Sequence, residues 1–172
     1  MKVNLGCGEK YLPGWTNCDV VKEVKADVYF DAEKFPYPLP SDAAEEILMD
    51  NVLEHLEDIP GVMNECFRIL KPGGVLVVKV PYGKSDWMLM DPTHKHFFTE
   101  KTLTYFCIGD GFPRAGWYAK PQFILLKAEL TTDNWSLRHK LRNLIPFRQQ
   151  LRYFFFNLYD GLTFELKKPE KP

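Results

Sequence analysis

The sequence has little net charge, no long apolar run and few cysteines. Its 172 residues include 22 Lys and Arg against 23 Asp and Glu, and the formal net charge of −1 argues against broad electrostatic capture of nucleic acid. No apolar stretch is long enough to span a bilayer, and an apolar run begins almost at Met1, so we expect no signal peptide. The four cysteines lack the paired spacing of metal ligands and indicate reduced thiols in a cytoplasm.

Internal repeats and low-complexity tracts are absent as well. Hydrophobic residues make up 45% of the chain and aromatic residues 15%, which is sufficient for one hydrophobic core at this length. We therefore predict a single domain over residues 1–172.

The most informative motif lies at the start of the chain, where an apolar run leads into Gly6-Cys7-Gly8. Glycine lacks the Cβ atom that would keep a ligand away from the backbone N–H groups. Asp19 ends the next apolar run, and a carboxylate at that place is the usual partner of a ribose diol. The pair predicts a site for a nucleoside-bearing cofactor, although a plain β-turn remains the alternative.

Two kinds of phosphate-binding loop fit poorly. A dinucleotide site requires a third glycine where this chain has Tyr11, and Asp19 follows too soon for a full crossover helix. Gly83-Lys84-Ser85 lacks the upstream glycine of a phosphate loop and follows the wrong strand.

The rest of the chain alternates short apolar runs with one amphipathic helix. Apolar residues recur at helical spacing over residues 59–70, and Lys71-Pro72-Gly73-Gly74 is expected to stop that helix. The runs that predict further strands are Asp27–Ala32, Glu46–Asp50, Val75–Val80, Phe123–Thr131 and Gly161–Leu166.

Four segments, in this order, resemble the class I S-adenosylmethionine-dependent methyltransferases, in particular the small bacterial type-11-like group. They are Leu5-Gly6-Cys7-Gly8, Gly14–Asp19, Val52-Leu53-Glu54-His55-Leu56 and Glu65–Gly74. The resemblance implies an α/β fold with a Rossmann-like, doubly wound, mostly parallel seven-stranded sheet. It also implies S-adenosylmethionine as the cofactor and a division into a cofactor-binding half, 1–81, and an acceptor half, 82–172.

The resemblance further implies roles for individual residues. The glycine loop would lie under the methionine part of the cofactor, an acid after strand two would hold the ribose hydroxyls, and an acid after strand three would lie near the adenine. The segment after strand four would border the methionine and the transferred methyl group. These roles fall on Gly6, Cys7 and Gly8, on Asp19, on Asp31, and on Met49, Asp50 and Asn51.

The chain departs from the family pattern in three respects. Asn4 stands where the family often has an acid, and Lys10 where it commonly has a third glycine. Lys10 either faces the carboxylate of the cofactor or is a solvated surface lysine. The connections over residues 9–14 and 21–25 are too short for ordinary crossover helices, so loops, the C-terminal segment or a second subunit in a homodimer must cover the sheet there.

The acceptor site is expected in residues 82–118, which follow the carboxyl end of strand five. Asp91 and His94 are the candidate catalytic residues, as general bases for a hydroxyl acceptor, with Trp87 and Phe97 able to stack on a sugar. Residues 91–98 also look like a segment of family members associated with surface glycans. The resemblance therefore implies methyl transfer to a hydroxyl of a sugar, a surface-glycan precursor or a small metabolite.

Three alternatives remain at this level. Asp91, His94 and His96 could instead bind a metal ion, although no metal is expected in the preferred interpretation. The fold could serve a non-catalytic module that binds the cofactor or a partner. The basic aromatic segment 135–158 could pack on the sheet with its arginines solvated, contact a membrane surface peripherally, or bind an acidic acceptor.

Overall fold

Seven strands form one sheet in the order β3-β2-β1-β4-β5-β7-β6 in the computed structural model, which describes residues 1–109, 122–132 and 137–170. Strands β1 to β5 run parallel, whereas β7 lies antiparallel between β5 and β6. Their bounds are β1 Lys2–Leu5, β2 Thr16–Asp19, β3 Val28–Tyr29, β4 Ala44–Asp50, β5 Leu70–Pro81, β6 Ile124–Thr131 and β7 Gly161–Lys167. The predicted fold class is confirmed.

The helices are short apart from the first. They are α1 Ile59–Ile69, α2 Asp86–Leu89, α3 Leu137–Arg142 and α4 Arg148–Leu151, with 3-10 turns at Leu53–His55 and Leu103–Phe106. None of the helices in the described ranges is long and apolar enough to cross a membrane. Helix α1 begins where the Asp58 carboxylate accepts the Gly61 N–H at 2.9 Å, and its apolar face lies in the core.

Two predicted boundaries are wrong. Strand β5 begins at Leu70, directly after α1, so the Pro72-Gly73 pair lies inside the strand rather than between helix and strand. The register between β4 and β5 shifts between Ala44 and Glu46, opposite this part of β5. Gly73 has a φ of +79°, a backbone conformation that favours glycine. Strand β3 contains only two residues, because the chain pairs with β2 only at Val28 and Tyr29.

The prediction of shortened crossovers is confirmed, since residues 1–58 contain no α-helix. A buried amide network holds the β1–β2 connection instead. The Asn4 side-chain amide donates to Lys10 O at 2.8 Å and to Asn17 Oδ1 at 3.0 Å. Asn17 in turn donates to Leu12 O and accepts the Leu12 N–H. Side chains therefore satisfy the loop backbone that a helix would satisfy elsewhere.

This network explains why Asn4 replaces the acid that the resemblance led us to expect. Asn4 is 2% exposed and acts as a donor to two oxygen atoms, which a carboxylate cannot do.

We predict that Asn4→Asp lowers the free energy of unfolding by about 2–4 kcal/mol, because two buried acceptors lose their donor and face a negative charge. Chemical denaturation at neutral pH measures the effect. Asn64→Asp is the matched control, since exposed Asn64 accepts a hydrogen bond from Gln122 and a carboxylate accepts equally well. Equal stability of the two variants would contradict the structural role of Asn4.

Candidate active-site cleft

The glycine turn lies at the carboxyl end of β1 and is fixed to β2. Gly6 and Cys7 both donate their N–H groups to Cys18 O, at 2.8 and 2.9 Å. Gly6 and Gly8 have φ values of +69° and +49°, which favour glycine. A Cβ atom on Gly6 would overlap the Val52 side chain, whereas a Cβ atom on Gly8 would have no neighbour within 4 Å. The backbone at Gly8 is therefore accessible to a ligand.

Asp19 and Gly8 form one hydrogen-bonded unit. The Asp19 carboxylate accepts the Gly8 N–H at 2.7 Å and the Val21 N–H at 2.9 Å, one on each oxygen. Each oxygen keeps a second lone pair for a further donor. Asp19 is only 9% exposed, so little bulk water reaches those lone pairs. This charged acceptor beside open glycine backbone fits the ribose end of the cofactor that the sequence predicts.

The other residues predicted to bind the cofactor differ in what they could offer to it. Asp31 follows β3, is partly buried and accepts the Glu33 N–H at 2.9 Å. Cys7 has a buried thiol whose pKa is raised by that burial, so it offers only its backbone to a ligand. Met49 was expected to border the methyl group, but its side chain is fully buried in the core, because side chains alternate along β4. Only the backbone of Met49 is left to border the methyl group, and that expectation stays a prediction.

A cleft of about 750 Å³ opens beside the end of β4 and reaches along β5 and β7. Four of the predicted site residues, Asp50, Asn51, Asp91 and His94, line it, and so does Trp87, whereas Phe97 does not. Predicted acceptor residues 110–118 lie outside the described residues. The other lining residues are Lys10, Glu54, His55, Lys79, Val80, Pro81, Met90, Pro92, Thr131, Asp160, Gly161, Leu162 and Thr163.

Asn51 turns the chain out of β4 with a φ of +57°. Its N–H donates to Lys79 O at 2.9 Å, which fixes the turn against β5. A residue other than glycine held in this left-handed conformation at a cleft is a common feature of ligand sites.

Lys10 has an exposed side chain and forms an ion pair that the sequence did not indicate. Its Nζ lies 2.7 Å from Asp50 Oδ2, and Lys79 Nζ lies 3.7 Å from the same oxygen. Lys10 therefore joins the glycine loop to the end of β4 across one side of the cleft.

Glu54 is the residue that sequence reasoning missed. It was assigned only to a family motif, yet its side chain is completely buried and neither carboxylate oxygen has a hydrogen-bond partner among the described residues. Burial raises the pKa of Glu54 to about 7. The one available signal was an acid between Leu53 and His55 in an otherwise apolar stretch.

His94 brings the loop after α2 against Glu54. Its Nδ1 lies 2.9 Å from Met88 O, and its Nε2 lies 4.0 Å from Glu54 Oε1 and 3.8 Å from Asp91 Oδ2. The His55 ring stands edge-on to the His94 ring with their centroids 4.8 Å apart. Burial lowers the pKa of His55, and hydrogen bonds from Thr93 lower the pKa of Asp91.

The potential metal ligands differ from those suggested by spacing. Among the described residues, the grouped ligand atoms belong to Glu54, His55 and His94, and His96 is not in the group. His96 also does not line the cleft, and its buried Nε2 has no partner there. The loop that carries residues 94 and 96 is not an extended strand, so the alternation expected from the sequence does not apply here.

Two arginines of the basic aromatic segment pair with acids and are not simply solvated. Arg142 pairs with Asp160, and Arg152 pairs with Glu100. Residues 135 and 136 of the segment lie outside the described residues. Its exposed side chains are instead mostly apolar or aromatic, at Leu137, Leu141, Leu144, Phe147, Tyr153, Phe154, Phe155 and Phe156.

Comparison with known proteins places these features in context. A methyltransferase domain family matches residues 16–78. A probable S-adenosylmethionine-dependent methyltransferase of Mycolicibacterium smegmatis is 43% identical over 44 residues, or 26% of this chain and 17% of that protein. A sterol 24-C-methyltransferase of Pneumocystis carinii is 24% identical over 128 residues, or 69% of this chain and 31% of that protein. The chain thus spans less than a third of either relative.

The fold has a solved counterpart. The crystal structure of a SAM dependent methyltransferase from Archaeoglobus fulgidus superposes with a TM-score of 0.68 at 18% identity, over 97% of this chain and 85% of that one. Together with the domain match, this confirms the fold and the resemblance found in the sequence.

We predict that Glu54→Gln flattens the pH dependence of stability. With a folded pKa of about 7 against an ordinary value of 4.5, folded Glu54 retains a proton that the unfolded chain releases between those values. The free energy of unfolding therefore falls as pH rises through this window, by about 3 kcal/mol for this group. Denaturation at pH 5 and pH 8, in buffer freed of divalent cations, measures the difference.

The matched control is Glu57→Gln, which removes an exposed acid three residues away. It should keep the pH dependence of the unchanged protein. The same pH dependence in Glu54→Gln and in the unchanged protein would refute the ionisation assigned to Glu54.

Proposed function

We propose that this chain, which has the fold of the class I methyltransferases and matches their domain family, transfers the methyl group of S-adenosylmethionine to a hydroxyl acceptor. The observation that carries the proposal is the Gly8–Asp19 unit, with open space beside the Gly8 backbone. When bound, the cofactor would supply an activated methyl group, so the protein needs only to orient the reactants and accept a proton.

The cofactor would lie along the carboxyl edge of β1, β2 and β4. In this proposal the backbone of Gly6, Cys7 and Gly8 approaches the methionine part. Asp19 accepts hydrogen bonds from the ribose hydroxyls through its free lone pairs. Asp31 lies toward the adenine. Asp50 and Asn51, which line the cleft at the end of β4, border the methyl group.

The acceptor would occupy the cleft on the side of α2. Asp91 and His94 are proposed as the residues that remove its proton, since His94 Nε2 faces the Asp91 carboxylate at 3.8 Å. Trp87 supplies an apolar ring at the same wall. Lysines and acids both line the cleft, which favours an uncharged, hydroxyl-rich acceptor such as a sugar, a glycan precursor or a small metabolite over a strongly anionic one.

A non-catalytic binding module is the second candidate. The observation that favours it is the Lys10–Asp50 ion pair at 2.7 Å, which crosses the region expected to hold the methionine part. Calorimetry with S-adenosylmethionine and with its demethylated product separates the two functions, because an enzyme must bind both.

Three other expectations stay predictions: a cytoplasmic location, a homodimer, and a peripheral membrane contact through residues 135–158. The inward pairs Arg142–Asp160 and Arg152–Glu100 leave fewer cations for lipid phosphates than the sequence suggested. No contact with nucleic acid is proposed.

We predict that Asp19→Ala weakens binding of S-adenosylmethionine at least about tenfold, because it removes charge-assisted hydrogen bonds worth roughly 1.5–3 kcal/mol each. Isothermal titration calorimetry with the cofactor and its demethylated product measures the loss. The control Glu9→Ala removes an exposed acid from the same loop and should bind as the unchanged protein does. Unchanged affinity in Asp19→Ala would remove this residue from the site.

We predict that Asp91→Asn and His94→Ala retain cofactor affinity but lose methyl transfer by on the order of 10²-fold, the contribution of a positioned general base. The assay uses radiolabelled cofactor and an acceptor found by screening sugars and small metabolites. Asp86→Asn, on α2 and outside the cleft lining, is the control. Normal turnover in both variants would contradict the assignment, and lost cofactor binding would place the two residues in the cofactor pocket.

A further inference from the structure

We propose that Glu54, His55 and His94 bind one divalent transition-metal cation in the wall of the cleft, with Asp91 as a fourth ligand. Two elements bring these residues together, the 3-10 turn Leu53–His55 and the loop after α2. The Lys95 N–H joins them by donating to Glu54 O at 2.8 Å. The binding itself does not depend on methyl transfer.

The ligand atoms are close to the spacing that a metal requires. One atom each of Glu54, His55 and His94 lies within 4.8 Å of the others. His94 Nε2 is 4.0 Å from Glu54 Oε1 and 3.8 Å from Asp91 Oδ2. Ligands around one tetrahedral cation lie about 3.4 Å apart at ordinary bond lengths. Small side-chain rotations toward a shared cation would therefore complete the site.

The hydrogen bonds of both imidazoles leave a nitrogen free for a metal. Met88 O can only accept, so His94 Nδ1 carries the proton of their 2.9 Å bond and Nε2 keeps its lone pair. Thr93 donates its hydroxyl proton to Asp91 at 2.6 Å, so it accepts from His55 Nδ1 at 3.0 Å. A histidine held by a backbone carbonyl through one nitrogen is the usual arrangement around protein-bound metals.

Glu54 supplies the independent observation. A side chain with no exposed surface and two unpartnered carboxylate oxygens is costly unless a proton or a cation neutralises it. The imidazole of His94, whose Nε2 lies 4.0 Å from Glu54 Oε1, donates no hydrogen bond to it. A divalent cation would satisfy Glu54 and Asp91 at once.

The donor set selects the kind of cation. Two imidazoles with one or two carboxylates suit Zn²⁺, Co²⁺, Fe²⁺ or Mn²⁺ better than Mg²⁺, which prefers oxygen ligands. The cysteines do not compete in the folded protein, because all four are buried outside this group.

The position of the site suggests its use, and this part rests on the proposed function. The cluster lines the same cleft as Asp50 and Asn51, where the acceptor would meet the methyl group. In this metal-bound form His94 and Asp91 would act as ligands instead of bases. The cation would hold an acceptor hydroxyl and lower its pKa, so that water could take the proton.

The first test titrates the full, chelator-treated chain, without any histidine tag, with Co²⁺ and with Zn²⁺. We expect one equivalent of Co²⁺, seen by its visible d–d absorption and displaced by Zn²⁺. Glu54→Gln and His94→Ala should each weaken binding at least about tenfold. His96→Gln is the matched control and should bind normally. Equal binding by all variants, no stoichiometric binding by the unchanged chain, or equal affinity for Mg²⁺ would overturn the proposal.

A second measurement does not depend on the folding of any variant. Long-range ¹H–¹⁵N spectra of the unchanged chain should show one nitrogen of His55 and one of His94 shifting with one equivalent of Zn²⁺, while His96 stays unchanged. A shift of His96 alone would overturn the assignment. Calorimetry with S-adenosylmethionine on the metal-free chain separates the two proposals: cofactor binding without metal binding defeats only the metal site, and the converse defeats only the proposed function.

Discussion

The geometry of the cleft depends on the buried contact between Asn4 and Asn17. Parallel strands normally require a long crossover, yet β1 and β2 are joined without a helix. The two amides replace that helix by satisfying the backbone of the intervening loop at Lys10 and Leu12. Asp27 completes the network, since it accepts both the backbone and the side-chain N–H of Asn17. The turn that carries the glycines is thereby held against β2 without an intervening layer.

The sequence predicts well where local patterning decides the structure. The seven strands and α1 follow from apolar periodicity, and the glycine turn with Asp19 follows from residue chemistry at strand ends. The buried side chain of Met49 follows from the same logic, because neighbouring side chains on β4 face opposite sides and Asp50 faces the cleft.

Contacts between distant parts of the chain could not be predicted in this way. Glu54 and His94 meet because a loop docks through the Lys95 N–H, and no spacing rule links residues forty positions apart. The inward pairs Arg142–Asp160 and Arg152–Glu100 are of the same kind. Whether these arginines form ion pairs depends on how the whole chain packs. A charge-rich segment considered alone suggests solvated side chains.

The two lysines in the cleft bear on how a ligand could enter. In the proposed function, an incoming methionine carboxylate and Asp50 both attract Lys10, whose side chain is 68% exposed and free to turn. Lys79 Nζ already lies 3.7 Å from Asp50 Oδ2. Asp50 therefore keeps a cationic neighbour when Lys10 turns toward the ligand, and the mostly buried carboxylate is not left unpaired. A lysine at the place of the family's third glycine is thus compatible with cofactor binding, because the ion pair that crosses the cleft can open at small electrostatic cost.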